Sequence, residues 1–352
     1  MTDLLTRLRT EGNPLFEDDV STEALFVWEG DTAPYLHLEH QNFEPVTMQR
    51  IQEGIWTYPL SLPSDAYIEY YFATEPRNTA KIIEDPFNNT RIDTGMGTHT
   101  HALSMPYRVH TPYAIKRRGI QTGNVTQHKI TDERYLRGGG RNVWLYDPPT
   151  DDATALLVVL DGAEYKQWGA ICTIVDNLIA DEKIRPISLA MIANAGDFRV
   201  YEYNQSETLP MLIDRQVVPL ANKHLHLLDL DAYEGGYGIL GASFGGLAAL
   251  YTALRMPHVF GTVISQAGAF WSFNDKQDAL IHVLLDSLPQ QNLNIWLDVG
   301  IYDFLFEENQ DMRRRLGERG YDVSYAEHFD GHNYTAWRDT LPTALETMFS
   351  QA

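Results

Sequence analysis

A five-residue motif in the second half of the chain constrains the fold more than any other feature. Gly241, Ser243 and Gly245 form a G-x-S-x-G pattern between a short apolar run and an Ala/Leu-rich run. The two runs predict a strand that turns sharply into a helix, and the glycines remove Cβ atoms that would clash in so tight a bend. A serine there projects its hydroxyl beside a helix N-terminus, where negative charge is favoured. The pattern is typical of the nucleophile elbow of serine hydrolases; a glycine-rich packing turn is the alternative.

Length, charge and cysteine content narrow the class of protein. The chain has 352 residues, which is enough for two domains, and a net charge of −21. Because nucleic acids and anionic membranes repel such a charge, we expect neither as a partner. No apolar run approaches the ~18 residues of a membrane helix. The N-terminal residues lack an apolar signal core, and the single Cys172 excludes an intrachain disulfide, so we expect a cytoplasmic protein.

Short strands divided by turn residues dominate the first third of the chain. Their spacing of roughly ten residues, from Ala24 to about Tyr107, predicts an all-β sandwich. Residues 108–140 are richer in Arg, Lys, Gly and Thr, and we place the domain boundary within them. The predicted domains are therefore residues 1–115 and residues 116–352. The predicted strands of the first domain comprise residues 24–28, 35–38, 54–58 and 67–72.

Apolar strands alternate with helices in the rest of the chain. This alternation is typical of an α/β protein whose mostly parallel sheet is covered by helices on both faces, as in an α/β-hydrolase domain. Besides the strand and helix at the motif, the predicted strands comprise residues 142–146, 155–160, 187–192, 261–265, 294–298 and 323–329, and the predicted helices comprise residues 171–179, 307–318 and 334–348.

An acid and a histidine follow the last two predicted strands. Serine hydrolases of this fold present nucleophile, acid and base in that order along the chain, each on a loop after a strand. Asp303 follows one of the two strands, and His332 follows the other within Asp-Gly-His-Asn. We expect His332 to be the general base and Asp303 to fix its tautomer. His328 is the alternative base, and Asp298 and Glu307 are the alternative acids.

An ester hydrolase also needs hydrogen-bond donors for the tetrahedral oxyanion. One should be the backbone N–H of Phe244, the residue after the nucleophile. The second should come from the loop after an earlier strand, and we assign it to Gly162 and Ala163, where the glycine allows close backbone approach. An ordinary β-to-α turn is the alternative for that loop. This chemistry needs no metal ion and no organic cofactor.

Several segments together resemble the enterochelin (enterobactin) esterase family, within the group of α/β hydrolases that includes feruloyl esterases, acetylxylan esterases, esterase D and the mycolyltransferases. The resemblance extends over most of the chain. In the second domain it rests on residues 160–164, 173–178, 199–204, 265–271 and 331–338 together with the elbow. In the first domain, residues 26–30 and 97–106 resemble the N-terminal immunoglobulin-like domain of that family.

The resemblance implies roles for individual residues. Ser243 matches the family's nucleophile and His332 its base. Asp303 matches the acid that follows a Gly-x-x-Asp turn in feruloyl esterase relatives. Arg199 matches an arginine near the substrate pocket; it either binds a substrate oxygen or forms an ion pair with Glu202.

Aromatic and basic side chains near these motifs are candidates for substrate binding. Tyr165 and Trp271 can line a pocket that accepts an aromatic group, and core packing is the alternative for such side chains. Ferric enterobactin is a trianion and would need local basic residues in so acidic a chain. Arg199, Lys166 and Arg338 are the basic residues near the motifs.

These observations predict a serine ester hydrolase that acts on a small-molecule ester through an acyl-enzyme. The resemblance implies a siderophore esterase that cleaves an enterobactin-like trilactone. One alternative is a feruloyl, acetyl or general small-ester esterase. A second is a non-catalytic protein that binds a glycan or a catechol, and a third is an acyltransferase in which an alcohol replaces water.

Overall fold

The computed structural model describes residues 2–76, 81–93, 99–131, 133–136, 138–271 and 279–351. The chain divides into two packed units. The first comprises Met1–His110, Gly300–Phe304 and His328–Ala336, and the second comprises Thr111–Val299, Leu305–Glu327 and Trp337–Ala352. The loop at residues 300–304, which carries Asp303 and is called the acid loop below, thus belongs to the first unit. So does the loop at residues 328–333, which carries His332 and is called the histidine loop. The division into domains at residues 1–115 and 116–352 stays a prediction.

The first unit consists mainly of antiparallel strands. One sheet has the order β1-β2-β6-β5; the other has the order β4-β3-β7-β10-β9, with β8 also paired to β7. The elements are α1 Thr2–Glu11, β1 Leu15–Phe16, β2 Glu23–Glu29, β3 Tyr35–Leu38, β4 Pro45–Thr47, β5 Gln49–Gln52, β6 Ile55–Ser61, β7 Tyr67–Ala73, β8 Ile82–Ile83, β9 Arg91–Asp93 and β10 His99–Ser104.

One apolar core joins the two sheets of the first unit. Phe26 of β2 packs in the same buried cluster as Leu36 of β3 and Phe72 of β7, and all three side chains are fully buried. Alternate residues of β2 point into this core, as the period of two in a strand predicts, whereas Val27 on the other face is buried in a separate cluster. The four strands predicted here are confirmed. The start of the motif at residues 97–106 lies outside the described residues.

The second unit holds a mixed sheet of order β11-β12-β14-β13-β15-β16-β17-β18. Neighbouring strands from β14 to β17 run parallel, whereas β11 and β12 are antiparallel. The strands are β11 Asn124–Ile130, β12 Arg141–Asp147, β13 Ala155–Val159, β14 Ile187–Ile192, β15 Tyr237–Ala242, β16 Phe260–Gln266, β17 Asn294–Gly300 and β18 Val323–His328. The helices are α2 Gly162–Gln167, α3 Ile171–Ala180, α4 Arg199–Tyr203, α5 Thr208–Leu212, α6 Val218–His224, α7 Phe244–Arg255, α8 Leu280–Ser287, α9 Phe306–Glu318 and α10 Tyr334–Phe349.

The central strands of this sheet are buried on both faces. Every residue of β13, β14, β15 and β16 is buried, which explains their continuous apolar sequences. The predicted strands and helices of this part of the chain are confirmed, with ends that differ by no more than two residues. Among the described residues, no helix combines the length and the apolar content that crossing a bilayer requires.

The structure adds elements that the sequence patterns did not predict. β11 lies within residues 108–140, which we had treated as the boundary region. Six of its seven residues are at least partly exposed, because it is an edge strand that pairs with β12, so its sequence carries no apolar alternation. Helices α4 to α6 and α8 were also not predicted.

Candidate active site

Ser243 occupies the turn between β15 and α7 in a conformation that few non-glycine residues adopt. Its φ is 57° and its ψ is −126°. The turn is fixed on both sides, because the Ser243 N–H donates to the Gln266 carbonyl at 2.9 Å and the Ala269 N–H donates to the Ser243 carbonyl at 3.0 Å. Ser243 and the following Phe244 are partly exposed, although their neighbours Ala242 and Gly245 are buried. The predicted strand–serine–helix turn is confirmed.

The glycines around Ser243 have no room for a side chain. A Cβ on Gly241 would overlap the backbone of Gly245. A Cβ on Gly246 would lie 2.5 Å from the Ser265 hydroxyl oxygen, and one on Gly245 would lie 3.0 Å from Asp161 Oδ2. The elbow therefore packs tightly against β16 and against the loop that follows β13.

That loop contains the predicted second oxyanion donor. Asp161 adopts a left-handed conformation with φ 51°, and α2 begins immediately afterwards at Gly162. A Cβ on Gly162 would overlap the backbone of Met191, so this position requires glycine. Gly162 and Ala163 thus begin a helix whose first N–H groups have no partner within the helix. Their role, like that of the Phe244 N–H, stays a prediction.

Arg199 holds this loop through an ion pair that we did not predict. Its guanidinium donates two hydrogen bonds of 2.6 Å to the carboxylate of Asp161, which is buried. Glu202, which the sequence analysis considered as a partner of Arg199, accepts from Arg141 at 2.9 Å, and both of those residues are buried. Binding of a substrate oxygen by Arg199, the other alternative, stays a prediction. The Arg199 side chain is 26% exposed, so part of it reaches solvent.

The other candidate binding residues have different surroundings. Tyr165 is fully buried, and its hydroxyl donates to Gln266 Oε1 at 2.8 Å. Trp271 is partly exposed, with its ring centroid 6.2 Å from that of Phe244. Lys166 Nζ lies 5.9 Å from the centre of the Trp144 ring. Trp271 is therefore better placed than Tyr165 to contact a ligand, and substrate binding by either stays a prediction.

The predicted base and acid contact each other directly. His332 Nδ1 lies 2.7 Å from Asp303 Oδ2, and the Asp303 side chain is fully buried. The imidazole is 18% exposed and its ring centroid lies 4.6 Å from that of Phe304. A buried carboxylate beside Nδ1 favours the tautomer that carries its proton on Nδ1, in which Nε2 is the basic nitrogen, and it stabilises the imidazolium. Asp303 is thus in hydrogen-bond contact with His332, the histidine that it was predicted to orient.

A second aspartate–histidine pair lies on the same loop. His328 Nδ1 lies 2.7 Å from Asp330 Oδ2, so distance alone does not distinguish the two histidines. Asp330, however, also pairs with Arg108 at 2.6 Å. A carboxylate that an arginine already neutralises stabilises an imidazolium less. We therefore retain His332 as the candidate base.

The alternative acids have other surroundings. Asp298 is fully buried in the second unit, where it accepts hydrogen bonds from Trp296 Nε1 at 2.6 Å and from Gln266 Nε2 at 3.2 Å. Glu307 is exposed in the first turn of α9, where a carboxylate interacts favourably with the helix dipole. Both residues therefore have structural roles in the described part of the chain.

The acid loop and the histidine loop pack backbone against backbone. A Cβ on Gly300 would overlap the Asp330 carbonyl. The Tyr302 N–H donates to that same carbonyl at 3.1 Å, and the Ile301 N–H donates to the His328 carbonyl at 2.9 Å. This contact fixes the spacing between the residues that carry the acid and the base.

Two buried carboxyl groups lie behind the histidine loop, and the sequence analysis missed both. Glu39 is buried after β3 and Glu69 is buried within β7; Glu39 Oε2 accepts from the Glu69 N–H at 2.8 Å. Burial raises the pKa of Glu69 to about 7, although Thr100 donates to it at 2.6 Å. No motif surrounds Glu39 in the sequence, so only a three-dimensional structure reveals it.

The raised pKa of Glu69 predicts a pH-dependent stability. The folded state holds the Glu69 proton more tightly than the unfolded state, so the unfolding free energy falls as pH rises from about 4.5 to about 7. In Glu69→Gln this contribution is absent. The measurement is the unfolding free energy of both proteins in urea. We expect the wild-type value minus the variant value to decline by on the order of 2 kcal/mol between pH 5 and pH 7.5. An equal difference at both pH values would contradict the assignment.

One group among the described residues has donors close enough together for a metal ion. The candidate ligand atoms of Glu84, His99 and His101 lie within 4.8 Å of one another. Arg91 bonds to Glu84 at 2.7 Å and to His99 at 3.2 Å, and the Asp85 N–H donates to His101 Nε2 at 3.1 Å. A cation would displace these contacts, so we assign no metal to the group.

The single cysteine has the properties of a core residue. Cys172 lies in α3 with its sulfur 3.8 Å from the sulfur of Met191. Burial raises the pKa of its thiol to about 12. A thiol that stays protonated at neutral pH is a poor nucleophile.

Comparison with known proteins identifies the family. The sequence model of the Esterase family, described as "Putative esterase", matches residues 138–348. The chain belongs to this family. It is accordingly a carboxylic ester hydrolase, as predicted. The match includes the elbow, the acid loop and the histidine loop.

Individual relatives in the family are similar over different lengths. The iron(III) enterobactin esterase of Escherichia coli strain K12 is 25% identical over 338 residues, which cover 87% of this chain and 82% of the relative. The acetyl esterase of Caldicellulosiruptor saccharolyticus is 28% identical over 155 residues, which cover 38% of this chain and 58% of the relative. The crystal structure of the Shigella flexneri enterobactin esterase in the presence of enterobactin superposes with a TM-score of 0.82 at 20% identity, over 97% of both chains. The α/β-hydrolase-like fold is thus shared.

Proposed function

We propose that this esterase uses Ser243 as nucleophile, His332 as general base and Asp303 as the acid that orients the base. The observation that carries the proposal is the conformation of Ser243, with φ 57° and ψ −126° at the start of α7. Strained backbone of this kind persists only where its surroundings enforce it, and it is concentrated at functional sites. The 2.7 Å contact between His332 and Asp303 supports the other two assignments.

The proposed reaction proceeds through an acyl-enzyme. The Ser243 oxygen attacks the ester carbonyl carbon while its proton passes to His332 Nε2, and Asp303 stabilises the imidazolium. Backbone N–H groups of Phe244 and of residues 162–163 bind the oxyanion. Collapse of the tetrahedral intermediate breaks the C–O ester bond, and the alcohol leaves with the proton from His332. Water, deprotonated by the same histidine, then attacks the acyl carbon and releases the carboxylic acid and Ser243.

The substrate that we propose is a siderophore ester of the enterobactin trilactone type. The relative that acts on iron(III) enterobactin, by its name, aligns with 87% of this chain, which is more than the second unit alone. The trilactone contains three carboxylic ester bonds, and each can be cleaved by the reaction above. Cleavage of one ring ester opens the lactone, after which two esters remain in a linear product.

The charges near Arg199 favour a second candidate function, with a substrate less anionic than ferric enterobactin. Ferric enterobactin carries three negative charges, and the chain has a net charge of −21. The Arg199 guanidinium is already neutralised by Asp161, to which it donates twice. A site of this kind suits a less anionic ester. The second candidate is therefore a feruloyl, acetyl or general small-ester esterase, and an acetyl esterase is among the relatives.

The first unit has the features of an immunoglobulin-like β-sandwich, and we propose that architecture for it. Two antiparallel sheets share one apolar core, as in such sandwiches. α1 adds to this plan, since Leu8 of the helix packs in a small buried cluster with Val27 and Ile55. Location in the cytoplasm stays a prediction.

A chromatographic assay tests the substrate. Purified wild-type protein and Ser243→Ala are incubated with enterobactin trilactone, with and without iron, with a feruloyl ester and with a short acetyl ester. We expect serine-dependent cleavage of the trilactone, because the ring esters suit the proposed reaction and the enterobactin esterase relative spans most of the chain.

Each result of the assay has a defined meaning. Cleavage of only the feruloyl or acetyl ester would overturn the siderophore role and support the second candidate. Cleavage of every substrate at equal rates by both proteins would overturn the serine mechanism.

A further inference from the structure

We infer that Glu39 is a positioning residue for the general base, because its carboxyl group contacts both residues that flank His332. The inference rests on the proposed role of His332 and goes beyond it by assigning part of the reaction's geometry to the first unit. Glu39 lies in the first unit, at the start of a short 3₁₀ helix after β3, and the histidine loop belongs to the same unit.

The first contact is with the residue after His332. Asn333 Nδ2 donates to Glu39 Oε2 at 3.1 Å, with Oε1 at 3.4 Å. Both residues are buried, at 4% and 5% exposure. A buried hydrogen bond to a carboxyl group is expensive to break, since the amide would be left without a partner in a dry environment. The side chain of Asn333 is therefore held in one orientation.

The second contact is with the residue before His332. The Cα of Gly331 lies so close to Glu39 that a Cβ at this position would overlap the Glu39 carboxyl group. Glycine is thus required for the loop to approach the carboxyl group. His332 stands between two neighbours that both rest on one side chain, so its backbone cannot shift unless both contacts change.

Asn333 also contacts the first turn of α10. Its Oδ1 accepts a hydrogen bond of 2.9 Å from the Ala336 N–H, which is a cap on the first turn of the helix. One side chain thus caps the helix with its oxygen and donates to Glu39 with its nitrogen. This arrangement defines where the helix starts relative to His332.

Glu39 is itself anchored to the sheet. Its Oε2 accepts from the backbone N–H of Glu69 in β7, at 2.8 Å, and the Tyr67 N–H of the same strand donates to the Phe329 carbonyl at 2.9 Å. Burial, followed by the nearby Glu69, raises the pKa of Glu39 well above its usual range. Burial of an acid is costly, and this cost agrees with a role that depends on Oε2, the oxygen that accepts from both Glu69 and Asn333.

Loss of Glu39 should affect the chemical step more than substrate binding. A shift of the imidazole by about 1 Å can slow a reaction on the order of 100-fold while the substrate still binds. We expect Glu39→Ala to lower kcat for a short acetyl ester by on the order of 10- to 100-fold, with KM within about threefold. The acid limb of the kcat/KM profile should also move to lower pH, because the displaced imidazolium loses Asp303.

Two further variants separate positioning from packing. Glu39→Gln keeps the shape and one acceptor oxygen, so it should restore most of the rate that Glu39→Ala loses. Asn333→Ser keeps a side-chain oxygen that can cap α10 but removes the amide donor to Glu39, so it should lower kcat as Glu39→Ala does. Asp85→Ala is the matched control: Asp85 is also a buried acid of the first unit, but its partners are Asn13, Tyr70 and Phe87.

The experiment measures kcat, KM, the pH profile and the unfolding temperature of the full-length variants. Asp85→Ala and Glu39→Ala should both unfold at lower temperature, and only Glu39→Ala should lose kcat and shift the profile. Equal kcat losses in the two variants, with unchanged profiles, would overturn the inference in favour of a purely structural role. Full activity of His332→Ala would instead overturn the proposed function. An inactive His332→Ala together with a fully active Glu39→Ala would overturn the inference alone.

Discussion

Replacing Ser243 by alanine is expected to lower kcat by on the order of 10⁴- to 10⁶-fold while the protein remains folded. The variant lacks the oxygen that attacks the ester carbonyl, and no acyl-enzyme can form. Alanine is smaller than serine, and the elbow keeps its backbone hydrogen bonds to Gln266 and Ala269. The measurements are steady-state hydrolysis of a short acetyl ester, the amplitude of the acyl-enzyme burst, and the unfolding temperature.

Ser188→Ala is a suitable control for the loss of a serine hydroxyl. Ser188 is fully buried in β14 of the same unit, and its hydroxyl lies 2.7 Å from that of Thr154. We expect this variant to lose stability and to retain its burst. A Ser243→Ala protein that keeps more than half of the wild-type activity would show that another group is the nucleophile.

Replacing Asp303 by asparagine is the second substitution with a large expected effect, a loss of kcat on the order of 10³- to 10⁴-fold. The asparagine amide can donate to His332 Nδ1, which stabilises the tautomer with its proton on Nε2. That tautomer cannot accept the proton of Ser243. The imidazolium also loses its buried counter-charge. The measurement is kcat for the same ester, with circular dichroism to establish that the fold is intact.

Asp330→Asn provides the comparison, because Asp330 also lies 2.7 Å from a histidine and is also buried. Its removal leaves Arg108 without its carboxylate, so we expect a lower unfolding temperature and a kcat within about tenfold of the wild type. If the two variants exchanged these effects, His328 and Asp330 would be the functional pair, and the assignment of His332 would be wrong.

Local sequence patterns predicted the second unit well because its strands are buried on both faces. A continuous apolar run such as that of β13 marks a central strand wherever it lies in a sheet. The order of these strands also places Asp303 and His332 at strand ends, and both were predicted from that order. Ser243 was found because a strand that turns directly into a helix demands glycines at fixed positions.

Contacts between residues that lie far apart in the sequence could not be predicted from local patterns. For Arg199 the sequence analysis considered an ion pair with Glu202, three residues away, and missed Asp161, to which Arg199 donates because α4 lies beside the loop after β13. β11 was missed because an edge strand with two polar faces has no apolar period. Glu39 and Asn333 lie 294 positions apart, and no local pattern connects Glu39 with the motif that contains Asn333.

The close approach of Gly331 to the Glu39 carboxyl group limits how this sequence can change over time. A homologue that acquires a side chain at position 331 must make space for it, and the group that occupies that space is the end of Glu39. The two positions should therefore vary together, with larger residues at 331 found only beside shorter residues at 39. Substitutions at the two positions should then be correlated across the family, although the two codons lie near opposite ends of the gene.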